Sequence, residues 1–252
     1  APDLVVTHFL THADVDRFGL YPDLTPFFKR DNIDISAAFP KGVIDFFTTD
    51  GRVTGLPWQL STLLLWYNKS LFDQAGLPYP TPEWRMTDEL IDHARKLTRD
   101  EDGDGVTDRW GLDIVNIYHW PELFWGTMKW TDDLRRSNLY DPRVRDAFQW
   151  TYDLYNSWMI APKQGGGHRA FASGEVAILG AVQTTMYQLS GMSYDWDVEV
   201  MPVAPAGPIT YGSGAGFAMA SQTKSPEAAW QFLKYWSTAD AQRIAMDMGW
   251  IP

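Results

Sequence analysis

The densest run of ionisable side chains in this sequence is Arg99-Asp100-Glu101-Asp102-Gly103-Asp104-Gly105-Val106-Thr107-Asp108. Acids at alternating positions, with Gly105 in the sixth place, match the opening of an EF-hand-type calcium loop, where carboxylate oxygens converge on a hard cation. Asp100, Asp102 and Asp104 are the candidate metal ligands, and Asp108 fills the ninth position. Gly111 stands where the closing bidentate glutamate belongs, so the loop is incomplete. The alternative is a solvated acidic turn joining a helix to a strand. No other cofactor is required by any motif.

Chemistry that needs a dedicated nucleophile finds little support. The chain has no cysteine, which removes disulfides, thiolate zinc sites and cysteine nucleophiles. No His-Glu-x-x-His, Gly-x-Ser-x-Gly or P-loop pattern occurs. The glycine-rich run Tyr211-Gly-Ser-Gly-Ala-Gly-Phe217 lacks the Lys-Ser/Thr of a phosphate loop and the spacing of a dinucleotide fingerprint. Carboxylates are plentiful, yet none falls in a motif that assigns acid and nucleophile roles, so a glycoside hydrolase is the weaker reading. With a net charge of −11, a nucleic-acid groove or a surface for anionic membranes is disfavoured.

Binding chemistry fares better. Thirteen Trp, 11 Tyr and 13 Phe in 252 residues make an aromatic excess. Many of these rings pack cores, but their flat faces also suit the apolar faces of pyranoses.

The elements that would hold such groups can be read in order. Leu4–Val6 is an apolar strand, with Thr7, His8 and Phe9 at its carboxyl end, where open α/β sheets place ligand groups. Residues 13–18 form a short helix, and Thr25 with Pro26 opens another. Asp50-Gly51 is a hairpin signal, and Leu60–Tyr67 reads as a strand buried on both faces. Asn68 or Ser70 caps the helix that follows, and Gly76 closes it. Thr87 caps a helix whose buried face is Leu90, Ile91, Ala94 and Leu97. Asp141-Pro142 starts a helix with Val144, Ala147, Phe148, Thr151, Tyr155 and Trp158 inward. Ser225-Pro226 opens one with Ala229, Phe232, Leu233 and Trp236 inward. No run is apolar for long enough to span a membrane.

Several segments, in order, resemble the family 1 extracellular solute-binding proteins, the maltose-binding-like subunits of ABC importers. They are Gly55-Leu-Pro-Trp58, Leu65-Trp-Tyr-Asn-Lys-Ser-Leu-Phe72, Phe171-Ala-Ser-Gly-Glu-Val-Ala-Ile178 and Ser225-Pro-Glu-Ala-Ala229. The resemblance covers essentially the whole chain, but relatives carry further strands before it and helices after it. It implies an α/β, type II periplasmic-binding-protein-like fold of two lobes, each a sheet flanked by helices, with the first lobe incomplete. The implied division is 1–60 and 213–252 for the first lobe and 61–212 for the second. A ligand would sit at strand ends and be enclosed by hinge closure.

The same resemblance assigns ligand-binding roles. Thr7, His8 and Phe9 would line the site from the first strand, and Trp58, Gln59 and Ser61 from the first crossing. Tyr118, His119 and Trp120 would contribute from the second lobe. Gln183, Thr184 and Tyr187 stand where relatives have a Gly-x-Trp whose Trp stacks on sugar; that Trp is missing here. Tyr211, Ser213 and Gly214 lie in the return crossing, and Trp250 in a loop near the end. Implied partners are a small-molecule carbohydrate and the membrane permease of an ABC importer, with no nucleic acid and a monomeric state. Placement would be periplasmic or extracellular, lipid-anchored in a Gram-positive source. Glycerophosphodiesters and polyamines are the alternative ligands. The first would need Arg or Lys at strand ends, and the second clustered carboxylates.

Overall fold

The computed structural model describes residues 2–131, 135–163, 165–183, 189 and 191–248, with Leu10, Tyr118 and Ser213 described by their backbone. The strands are β1 (Leu4–His8), β2 (Thr48–Thr49), β3 (Arg52–Val53), β4 (Leu56–Asn68), β5 (Trp110–Ile114), β6 (Val176–Val182), β7 (Trp196–Val200) and β8 (Gly212–Met219). The helices are α1 (Phe9–Asp16), α2 (Thr25–Arg30), α3 (Ile35–Ala38), α4 (Lys41–Ile44), α5 (Lys69–Ala75), α6 (Glu89–Leu97), α7 (Pro142–Tyr155), α8 (Gly167–Ser173), α9 (Pro226–Trp236) and α10 (Ala239–Asp247). Short 3-10 segments run over Ile117–His119 and Pro121–Trp125. None of the described helices is long and apolar enough to cross a membrane.

The chain divides into two compact units, Ala1–Ser61 with Gly212–Pro252, and Thr62–Tyr211. In the first, β1 pairs antiparallel with β8, from Leu4 opposite Met219 to His8 opposite Ala215. The early part of β4 lies on the other side of β8. The core gathers Phe9, Leu24, Phe28, Phe47, Trp230 and Leu233. Trp230 donates its indole N–H to Asp31 at 2.8 Å and meets Phe28 edge-on at 4.9 Å, so its polar tip is satisfied while its rings are buried.

In the second unit the strand order is β7-β4-β6-β5. β4 is antiparallel to both neighbours, and β5 runs parallel to β6 from Trp110 opposite Val176 to Ile114 opposite Gly180. The parallel pair is buried on both faces, which is why both strands read as apolar runs. One core holds Leu65, Phe72, Met86, Leu90, Leu112 and Ile114, and a second holds Trp66, Phe171 and Leu179.

Local signals mostly act where the sequence puts them. Asn68 Oδ1 accepts from the Leu71 N–H at 3.1 Å, and Gly76 closes α5 in the left-handed region. Asp141 caps α7 through the Arg143 N–H at 2.9 Å. Elsewhere tertiary packing moves the boundaries. α1 starts at Phe9 rather than Ala13, because Phe9 is drawn into the core against Phe46 and Phe47. β4 starts at Leu56, ahead of the apolar run, because β8 gives the polar residues a ladder partner. Asp88, not Thr87, precedes the first turn of α6. Trp150 and Leu154 take the buried face of α7, leaving Phe148, Tyr155 and Trp158 half-buried, and Phe232 is 39% exposed.

Candidate functional site

In the second unit, polar side chains collect where β5 ends. β5 finishes at Ile114, and Asn116 turns the chain with φ +62° into the Ile117–His119 segment. A cavity of about 970 Å³ opens here, walled by Asp113–Asn116, Tyr155, Lys163 and the run Gly165–Arg169.

Asp113 organises the wall. It is 4% exposed, and its Oδ2 accepts from the Gly167 N–H at 2.9 Å and the Gly166 N–H at 3.2 Å. Burial raises its carboxyl above the ordinary value, and the two amides partly oppose that. His168 is shifted down from 6.5, chiefly by burial, with Asp113 pulling the other way. The three glycines are each required. Gly165 and Gly167 have φ of +59° and +51°, and a Cβ on Gly166 would lie 2.1 Å from that of Ala170. The run Lys163-Gln164-Gly-Gly-Gly-His168-Arg169 was a signal in plain view, three consecutive glycines before a helix, that the sequence reading passed over. Asp113 carried no such mark inside an apolar strand.

His119 and Trp120 follow Asn116 directly. His119 is exposed and Trp120 half-buried. The Lys129 ammonium sits 4.2 Å from the Trp120 ring centroid, bonds the His119 carbonyl and lies 3.8 Å from Glu122, which is fully buried. The turn is thus clamped from behind. Gln183, at the end of β6, accepts from the Thr62 N–H through Oε1. Tyr211 packs beside the core, and its carbonyl accepts from Leu63 at 2.9 Å. The Tyr118 side chain, Thr184 and Tyr187 lie outside the described residues.

In the first unit, four of the expected ligand residues have packing or hydrogen-bonding partners within the protein. Thr7 is 5% exposed and its hydroxyl meets His12 Nδ1 at 3.3 Å, so it serves a buried polar cluster. Phe9 is a core ring, drawn in by Phe46 and Phe47. Trp58 packs on Phe217 at 5.8 Å and Trp236 at 6.3 Å. Gly214 is held to glycine by packing: a Cβ there would sit 2.4 Å from Phe9 and 2.5 Å from the Gln59 carbonyl. His8 is exposed at the end of β1, and Gln59 reaches Ser61 Oγ at 3.5 Å. The Ser213 side chain and Trp250 lie outside the described residues.

The acidic loop forms a tight turn with its own amides. Asp100 accepts from Gly103 at 2.7 Å and Gly105 at 2.9 Å, and Asp108 from Glu101 at 2.7 Å. Oxygens of Asp100, Asp102 and Asp108 lie within 4.8 Å of one another, whereas Asp104 is outside this set because its Oδ1 turns to the Val106 N–H. A closing glutamate at 111 is sterically impossible. A Cβ there would lie 1.8 Å from the Ala94 carbonyl of α6.

Comparison with known proteins places this arrangement. An ABC substrate-binding protein from Listeria monocytogenes, solved in complex with cycloalternan, matches with a TM-score of 0.87 and 24% identity over 100% of this chain and 65% of that one. The maltose/maltodextrin-binding domain of Bdellovibrio bacteriovorus, bound to maltotriose, matches at 0.78 and 23% identity over 100% of this chain and 66% of that one. Mycobacterium tuberculosis UgpB, in complex with glycerophosphocholine, matches at 0.78 and 20% identity over 93% of this chain and 60% of that one. At these identities the likeness establishes the fold, that of the type II periplasmic binding proteins. A relative from Brucella abortus (strain 2308), named only as a binding protein, is 25% identical over 217 residues, 81% of this chain and 51% of its own length. The chain therefore spans about half of that relative and about two thirds of the solved structures. The family profile described as bacterial extracellular solute-binding protein matches residues 1–243, and with that the sheet order, the strand-end cavity and the motifs converge: the chain belongs to the bacterial extracellular solute-binding proteins.

Proposed function

We propose that this chain captures a small carbohydrate or polyol outside the cell and presents it to the permease of an ABC importer. The observation that carries the reading is the 970 Å³ cavity at the carboxyl end of β5, a volume suited to one or a few sugar rings. Its wall offers the polar groups that hydroxyls require: the Asn116 amide, the Tyr155 phenol, His168 and the glycine backbone. His119, Trp120 and Gln183 follow the ends of β5 and β6 in the chain but are not among the residues lining this cavity. Solved relatives in complex with cycloalternan and with maltotriose support the ligand class. Capture needs no bond to be made or broken, and the family is one of binding proteins.

Titrating the chain with maltotriose and other oligosaccharides while following tryptophan fluorescence tests this. A saturable change with the sugar recovered intact is the expected result; hydrolysed product would replace the reading with an enzyme. Calcium in the Asp100–Asp108 loop is a separate matter. A melt in calcium against chelator reads whether Asp100, Asp102 and Asp108 take a cation, a rise in melting temperature being the expected sign.

A further inference from the structure

We infer that the ligand of the β5-end cavity carries an anionic group, a phosphate or a carboxylate, held by Lys163 and Arg169. This rests on the capture reading above and narrows its ligand class. Both cations line the cavity, both are exposed to it, and among the described residues neither forms an ion pair. The cavity's one carboxylate among the described residues, Asp113, is buried and turned to the Gly166 and Gly167 amides, so it does not neutralise them. His168 adds a third nitrogen base to the same wall.

The rest of the molecule makes this local sign stand out. With a net charge of −11, the chain repels anions over most of its surface, and a concave wall of opposite sign focuses the field. A neutral saccharide gains ordinary hydrogen bonds from the two cations, whereas an anionic oxygen forms the stronger charge-assisted bonds with both. Arg169 in α8 and Lys163 in the loop before it line the cavity at the β5 end, which meets the need of a phosphate ligand for Arg or Lys there. Two sources share this chemistry: a phosphorylated polyol such as a glycerophosphodiester, and a uronate sugar.

Calorimetric titration of the 252-residue chain with maltotriose, digalacturonate, galactobiose, glycerol 3-phosphate and glycerol tests the inference. Each anionic probe is expected to bind at least about tenfold tighter than its neutral counterpart, and to weaken as salt is raised. The stronger of the two anionic probes identifies the source. Lys163→Gln and Arg169→Gln should each cut the anionic preference about three- to tenfold, with the melting temperature of the free protein unchanged because both side chains are exposed. Equal binding of charged and neutral sugars would overturn the inference and leave sugar capture standing. Binding of glycerol 3-phosphate with no saccharide bound would uphold the anionic group and overturn the sugar. A double variant that keeps its full anionic preference would also overturn the inference.

Discussion

At the level of single residues, burial decides what a polar side chain is for. His12 is fully buried, with Nε2 2.9 Å from Thr54 Oγ1, Nδ1 3.3 Å from Thr7 Oγ1 and its ring stacked on Tyr21. Asp16, one turn on, is buried with Arg52 Nη2 at 3.6 Å. Burial lowers the His12 value below 6.5, and Asp16 opposes the shift. Above 6.5 both folded and unfolded forms are neutral and the group is silent. As pH falls through 6.5 the unfolded chain takes the proton first, so stability declines until folded His12 also protonates. Melting temperature against pH should show this fall, and His12→Gln should flatten it. His168, shifted the same way, adds to the fall. Glycines give a second prediction. Gly111→Ala forces a methyl against the Ala94 backbone, and chemical denaturation should show a loss at or beyond the roughly 1–3 kcal/mol usual for overpacking.

Among secondary-structure elements, those specified by their own neighbours were legible and those specified by distant partners were not. α5 is bounded by Asn68 and Gly76, both visible in the sequence. Asn68→Ala should therefore cost about 1 kcal/mol in urea denaturation, the usual value of a lost cap. β8 shows the opposite. Gly212–Met219 is a strand despite its glycines, and Gly214 and Gly216 leave room for the Phe9 and Phe47 rings. No local rule reveals a ring that arrives from residue 9. The triglycine turn before α8 is similar: its shape is fixed by Asp113, more than fifty residues earlier in the chain.

For the whole molecule, two units with separate cores should not unfold as one. Calorimetry is expected to resolve two transitions. Trp230→Ala should lower one of them alone, by about 3–5 kcal/mol, because Trp230 belongs to the core of the first unit. A ligand bound in the β5-end cavity should raise the other, by about 2.7 kcal/mol at a hundred times its Kd. A single transition that moved under both treatments would contradict this division.

The sequence alone determined the family and the alternation of strands and helices. The family resemblance rests on motif segments met in order, and the alternation on turn residues, caps and apolar periodicity, all of which act within a few residues. It also excluded cysteine chemistry and the common catalytic motifs. Only the tertiary structure decided which polar residues face a cavity and which face the core, because burial is set by what packs on top. Thr7 and Phe9 thus went inward, while Asp113, Lys163, His168 and Arg169 came together around one wall.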